Sequence, residues 1–283
     1  MGDAKKIIVK PISAKDANRL IQALHYSGKH AVNPHINLGV FMGDRCGGAM
    51  QFGPSMQKSN LVGLVSGTLW NEFIELNRLA FADWLPRNGE SRAIAYAMRW
   101  MRSTYPWLKW VVSFADGTQC GDGTIYRASG FVLTSIKVNS TMHEMPDGYR
   151  FADIGLRASS RLVRERVGYK LGELFSVFKK RTGCKRIPGF QLRYIYFLDP
   201  TAKDRLTVPI LPFSEIERRG AGMYKGVKRG KQAIGNDQLH SGGAAPTATL
   251  QQDKRPKQAM AGDHPEQREC NAHPDAPSIK GGE

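Results

Sequence analysis

The amino-acid sequence predicts an α/β chain of the α+β kind, a mixed central sheet flanked by helices. Three features carry that prediction. Short apolar runs of strand-like composition alternate with stretches whose apolar residues recur at i, i+3, i+4 and i+7, and Gly, Pro, Asn and Asp punctuate the joins. The resulting order is strand, helix, hairpin, strand, helix, strand, short helix, strand, as expected for layers packed about one sheet.

Each element has its own signal. Ile7–Ile12 alternates and reads as the first strand, and Ser13-Ala14-Lys15-Asp16 has the form of a capping box that opens a helix. Ala17, Leu20, Ile21 and Leu24 form its apolar stripe, and the helix fails before Gly28. His25-Tyr26-Ser27-Gly28-Lys29-His30 is a polar loop. Leu38–Met42, the turn Gly43-Asp44 and Cys46–Phe52 make a hairpin, followed by a strand at Phe73–Phe81. Pro86–Ser91 turns into a second helix with the stripe Ile94, Ala97, Met98 and Met101, ended by Pro106. Leu108–Ala115 reads as a buried strand, Thr124–Ser129 as a short helix and Phe131–Val138 as a further strand. Beyond these, Ser159–Thr182 is expected as a helix with a basic face and Gln191–Leu198 as a strand.

The 283 residues carry a formal net charge of +16, and its location says more than its size. Up to Lys225 there are 33 Lys and Arg against 18 Asp and Glu; after it, 8 against 7. Arg157–Tyr194 alone holds eleven basic residues, among them Arg161, Arg164, Lys170, Lys179, Lys180, Arg181, Lys185 and Arg186, against only Glu165 and Glu173. A solvated helix face interleaves charges of both signs, and this run hardly does. No interfacial apolar pattern accompanies it, so the expected polyanion is nucleic acid before membrane. The eight residues named are the candidate DNA contacts.

After Gly226 no Trp, Tyr or Phe remains, so 226–283 is expected as a disordered tail behind one domain of residues 1–225. No apolar run approaches the roughly 18 residues of a membrane span, and Met1–Lys10 lacks a signal peptide's apolar stretch, so the expected compartment is cytoplasmic. Cys46, Cys120, Cys184 and Cys270 are widely spaced with no CxxC pair, which predicts free thiols rather than a zinc module or disulfides.

Chemistry concentrates in four places. The turn Arg87-Asn88-Gly89-Glu90-Ser91-Arg92 opens a helix whose first backbone N–H groups lack partners, and its two arginines add charge, so a pyrophosphate would be stabilised there. Glu75 and Asn77 share one face of their strand, with Arg78 on the other. His25, Tyr26, His30 and His35 form the densest imidazole cluster, able to polarise a substrate or to join a carboxylate around a metal. Asp116, at a strand end, is placed to orient or accept a proton; Ser113 could hydrogen-bond nearby, although the two point to opposite faces of an extended strand.

With the strand Ser113–Asp116, the preceding turn and helix, and the segment Tyr126-x-x-x-Gly130-Phe131, the chain resembles the GNAT acyltransferase superfamily. That resemblance implies coenzyme A at residues 87–92 and Tyr126 as proton donor to a leaving thiolate. Arg87–Arg92 departs from the superfamily's usual Gln/Arg-x-x-Gly-x-Gly/Ala spacing. A closer resemblance, to the phage Mom family of DNA-modification proteins, rests on five motifs: His25–His30, Glu75–Phe81, Asn88–Arg92, Ser113–Asp116 and Gly123–Tyr126. It continues through Gly189–Leu198 to about Lys225. It implies a transferase that converts adenine N6 in double-stranded DNA to a methylcarbamoyl derivative inside a bacterial host, protecting phage DNA from restriction, with acetyl-CoA as carbon source and iron as helper. Two other readings stay open: an N-acetyltransferase acting on a protein or small-molecule amine, and a DNA-binding protein without activity.

Overall fold

The computed structural model describes residues 3–118, 121–157, 161–224 and 227–228; the expected tail otherwise lies outside the described residues. In chain order the elements begin with β1 (Ile7–Pro11), α1 (Ala14–Leu24), β2 (Ile36–Met42), β3 (Arg45–Gly53), α2 (Lys58–Leu61) and β4 (Phe73–Phe81). There follow α3 (Gly89–Thr104), β5 (Trp110–Asp116), α4 (Thr124–Ala128) and β6 (Val132–Val138). The inserted elements are β7 (Met142–Glu144), β8 (Arg150–Ala152), α5 (Ile154–Arg157), α6 (Arg161–Val167), α7 (Phe175–Thr182) and β9 (Lys185–Arg186). The chain then returns as β10 (Phe190–Phe197) and α8 (Ser214–Arg218).

Seven strands form the expected mixed sheet in the order β1-β2-β3-β4-β5-β10-β6, with β4 and β5 parallel and every other pair antiparallel. Ser13 caps α1 as its sequence requires, its hydroxyl accepting from the Asp16 backbone N–H at 3.1 Å. The α3 stripe Ile94, Ala97, Met98 and Met101 is wholly buried. Burial of each large side chain there stabilises the fold by about 1.5–3 kcal/mol. Gly89 is buried at the start of α3, where a Cβ would lie 2.8 Å from Ile7 Cδ1, so its missing side chain lets the helix seat on β1.

The two faces of the sheet are filled differently. On the α3 face one apolar cluster runs under all seven strands, from Ile7 and Leu38 through Leu76 and Val111 to Leu192 and Leu133. On the opposite face there are two clusters. Ile12, Ala17, Ile21, Phe41, Ala49 and Ala80 pack under α1, whereas Val65, Phe73, Trp110, Val112 and Ile195 pack under α2 and the segment around Ala202.

Residues 139–189 leave the sheet between β6 and β10 and build a small unit of their own. The sequence predicts one long helix over Ser159–Thr182; the structure divides it into α6 and α7 around Gly168 and Gly172, whose φ values of +69° and +82° no helix accommodates. A three-stranded sheet β8-β7-β9, invisible to the periodicity argument because its strands are two or three residues long, completes the unit. Phe151, Leu156, Val163, Val167, Phe178 and Cys184 are its core.

Candidate active site

The sheet opens where its one parallel pair fails. β4 and β5 are in register only at Phe73–Trp110, Ile74–Val111 and Glu75–Val112. Beyond Glu75 the β5-side edge of β4 has no strand partner, and the Ser113 hydroxyl, fully buried, reaches across to the Leu76 carbonyl at 3.4 Å. At the same point β4 bulges: Gln51 pairs with Arg78 and Phe52 with Leu76, which leaves Asn77 as the extra residue. Gly53 makes room for the bulge, since a Cβ there would stand 2.9 Å from Asn77 Oδ1.

The bulge corrects one expectation. Simple alternation sets Arg78 on the opposite face from Glu75, but an extra residue reverses the alternation beyond it, so Arg78 joins Glu75 on the α1 face. The packing agrees, because Leu76 belongs to the α3-face core and Ala80 to the α1-face core. Arg78 clamps the site together: its Nε donates to the Lys29 carbonyl at 2.9 Å and a terminal nitrogen donates to the Asn77 carbonyl at 2.7 Å. Its charge also acts on both Glu75 and His25.

Burial raises the Glu75 carboxyl above its usual range, against the opposing pull of hydrogen bonds from Ser55 and Asn77 and of the Arg78 charge. His25, the C-terminal cap of α1, is lowered to about 4 by burial first and by Arg78 second, so its imidazole is neutral at neutral pH. Its Nδ1 lies 2.8 Å from the Ser27 hydroxyl and 3.2 Å from the Ser27 backbone N–H, and accepting from that N–H favours the tautomer with its proton on Nε2. Tyr26 packs against His25 with ring centroids 4.2 Å apart and planes tilted by 32°, and keeps about half of its surface, 56%, exposed. His30 instead binds the Ala31 carbonyl through Nδ1 at 2.8 Å. Among the described residues no three His, Cys, Asp or Glu come together as a metal site.

The residue that seats this loop was not foreseen. Gln51 is fully buried on the α1 face, donating to Asn18 Oδ1 at 2.8 Å and Asn37 Oδ1 at 3.0 Å and accepting the Ala31 N–H at 2.9 Å. Its signal in the sequence was a glutamine amid Cys46–Phe52, a polar residue on a strand otherwise buried on both sides.

On the α3 face, Arg87, Asn88, Ser91, Arg92, Arg99 and Lys5 line a shallow hollow at the start of α3. Asn88 is held at φ +66° and offers no side-chain cap, so the helix's first N–H groups keep their field. Arg92 donates to the Tyr96 hydroxyl at 2.6 Å, while its buried Nε has no partner. Gly89 and Glu90 belong to the same turn, but Gly89 faces Ile7 rather than the hollow. Tyr126 lies on this face too, nearly buried between Phe131 and Tyr194 at ring distances of 5.5 and 5.3 Å. Tyr194, unmentioned in the sequence reading of the site, donates its hydroxyl to the Asp122 carbonyl and fills the space that a Cβ on Gly123 would need.

Asp116 ends β5 and ties the insertion to the body. Its Oδ1 accepts from the Thr118 N–H at 3.0 Å, the Thr118 hydroxyl at 2.5 Å and Asn139 Nδ2 at 3.1 Å. Of the predicted DNA contacts, Arg161 pairs with Glu165 one turn along the exposed side of α6 at 2.6 Å, whereas Arg181, on Glu173 at 2.9 Å, braces the turn between α6 and α7. Lys170, Lys180, Lys185 and Arg186 are exposed; Lys179 and Arg164 are half-buried. Arg193, the last arginine of the basic run, is not on that surface: it lies in β10 with its Nε on Thr134 Oγ1 at 3.0 Å, and burial lowers its pKa.

Fold and site together define an α/β protein whose mixed sheet opens at a parallel strand pair. A basic helix start lies on one face and a carboxylate, guanidinium and imidazole group on the other. The chain belongs to the Mom protein family, whose model matches residues 6–215. It is 35% identical over 208 residues to "Methylcarbamoylase mom" of Escherichia phage Mu, covering 73% of this chain and 82% of that one. Among solved structures it is similar to the ribosomal-protein-S18-alanine N-acetyltransferase of Escherichia coli (TM-score 0.38, 8% identity, 68% of this chain and 94% of that). It is also similar to Arabidopsis thaliana NAA60 in complex with acetyl-CoA (TM-score 0.39, 11% identity, 68% and 99%). These are loose likenesses, and the family assignment rests on the sequence matches. No helix among the described residues is long and apolar enough to cross a membrane.

Proposed function

We propose that this chain is a DNA-modifying transferase that places a methylcarbamoyl group on adenine N6 of double-stranded DNA within the bacterial host, and so protects phage DNA from restriction. The observation that carries the reading is the opening between β4 and β5 beside Glu75, in a chain whose family match takes in both strands that form it.

Adenine N6 is a poor nucleophile because its lone pair is delocalised into the ring, so a proton acceptor and tight positioning must supply much of the rate. Glu75, with its raised pKa, is the acceptor in this reading. The His25 Nε2–H is a donor to the base edge, Tyr26 offers an exposed ring for the base to stack on, and Arg78 ties the strand to the loop through the Asn77 and Lys29 carbonyls. Asp116 acts by fixing the end of β5 to the insertion, and Ser113 by holding the mouth of the opening.

The hollow at Arg87–Arg92, with Lys5 and Arg99, fits a phosphorylated cofactor: it gathers four cations beside an uncapped helix start, and Arg92 Nε is buried without a partner. Acyl-CoA held there would supply the carbon unit, and Tyr126, on the same face, is the candidate proton donor to its thiolate. The residues do not fit an iron, since His25, His30 and His35 gather with no carboxylate into a three-ligand set among the described residues. Lys170, Lys179, Lys180, Lys185 and Arg186 would meet the phosphates, each contact adding about −0.9 to the salt slope.

The test is to express the chain in cells, digest their DNA and weigh the nucleosides by mass spectrometry. A deoxyadenosine heavier by the methylcarbamoyl group is expected. Unmodified deoxyadenosine alongside well-expressed protein overturns the reading.

A further inference from the structure

The insertion carries an apolar tip that its own core does not use. Residues 170–173 form a β-turn, with the Glu173 N–H donating to the Lys170 carbonyl at 3.0 Å, Leu171 at the first central position and Gly172 at φ +82° at the second. Leu171 is 78% exposed and Leu174, just after it, 70%. Single exposed leucines are ordinary, but Leu162 and Val177 on the adjoining helices are exposed as well, so four apolar side chains face water within sixteen residues.

The turn is braced rather than loose. Arg181 grips both oxygens of Glu173 at 3.0 and 2.9 Å and donates to the Gly168 carbonyl at 2.7 Å. The Tyr169 hydroxyl donates to the Glu173 carbonyl at 2.7 Å, and Glu173 Oε2 accepts the Lys170 N–H at 3.2 Å. Leu171 is therefore presented on a fixed mount.

Its surroundings select the partner. Four of the insertion's acids pair with its arginines, Glu144 with Arg150, Asp147 with Arg166, Glu165 with Arg161 and Glu173 with Arg181, while Asp153 lies 2.8 Å from Nδ1 of His143, whose pKa burial lowers. Lys180, Lys185 and Arg186 make no ion pair among the described residues, and Lys170 flanks Leu171 directly. The unit hangs from the end of the sheet that bears the opening, rooted by Asn139 on Asp116 and by Arg150 on the Thr118 carbonyl at 3.1 Å.

We propose that Leu171 is a wedge that enters the duplex and occupies the place of the adenine turned out toward the opening, while Lys170 and the neighbouring basic side chains hold the flanking phosphates. The proposal rests on the reading that the substrate is double-stranded DNA. A base inside the stack is out of reach of any active site, and turning it out costs a few kcal/mol of stacking and pairing. An apolar side chain in the vacated space restores contact with the neighbouring base faces and offsets part of that cost.

The experiment uses the full chain and a duplex with 2-aminopurine at the adenine position, which brightens when it leaves the stack. A second duplex carries a mismatch opposite that position. Wild type is expected to raise the fluorescence of the matched duplex several-fold. Leu171→Ala should lose most of that rise while binding the duplex within about threefold, recover it on the mismatched duplex, and be rescued by Leu171→Met. Equal fluorescence from wild type and Leu171→Ala on the matched duplex overturns the wedge even where cellular DNA is modified. Absence of any modified adenine in cells overturns the underlying reading, and the wedge with it. Leu171-dependent binding to phosphatidylglycerol–phosphatidylcholine vesicles with no duplex response would assign the tip to a lipid surface, which also overturns it.

Discussion

The two faces of the central sheet are built for different ends. Under α3 a single apolar core crosses all seven strands without interruption. Under α1 and α2 the core is cut in two, and the seam falls where β4 and β5 part and where Glu75, Arg78 and His25 lie. The continuous face supplies stability that the divided face gives up, because a half-buried carboxylate and a half-buried neutral imidazole are each partly withdrawn from water. A rigid sheet can carry such a seam only if the other side is intact.

Substitutions that separate the two faces should show this. The largest effect is expected on the continuous face: Ile94→Ala or Met101→Ala should lower unfolding free energy by about 2–5 kcal/mol in a denaturant titration, through lost burial and the cavity left behind. At the seam, Glu75→Gln should lower DNA modification about 100-fold, read as modified over total deoxyadenosine by mass spectrometry, without loss of stability. Ionised Glu75 is disfavoured in the folded protein, so above its raised pKa the variant should be no less stable than wild type; a destabilised Glu75→Gln would assign this carboxylate to structure.

A third test uses pH. His25 titrates near 4 when folded and near 6.5 when unfolded, so its neutral form is the one the fold favours. Its contribution is present above pH 6.5 and is lost as pH falls from 6.5 toward 4, where the unfolded chain takes up the proton first. The melting temperature of wild type should therefore fall relative to that of His25→Asn as pH drops across that window, and parallel curves would contradict the assignment. The smallest change is expected far from both faces. Lys180→Glu with Lys185→Glu should leave the melting temperature within a few degrees and reduce the slope of log K against log salt by about 1.8, if both side chains meet phosphates.

Much of this molecule was legible before folding. The Ser13 cap, the α3 stripe, the hairpin across Gly43-Asp44 and the strand Phe73–Phe81 follow from local spacing and appear where that spacing puts them; of the α1 stripe Ala17 and Ile21 are buried and Leu20 half-buried, but Leu24 at the helix end is exposed. The same is true of the polar loop at His25 and the arginine-flanked start of α3, because their residue types announce them. At Gly89 packing adds a reason that local spacing does not carry, since a Cβ there would crowd Ile7 of β1. The basic run was read correctly as an excess of charge but not as a folded unit, since its strands are too short to show a period.

What the sequence determined by itself is the set of elements, the signs and places of the charges, and the residue types available for chemistry, all properties of neighbours along the chain. What only the tertiary structure decided is which of those residues meet. The Asn77 bulge moves Arg78 to the face of the sheet that holds Glu75, and β4 parts from β5 just beyond Glu75. Both are features of pairing between strands distant in sequence. A single extra residue in a ladder reverses every side chain beyond it, and no pattern within one strand records it.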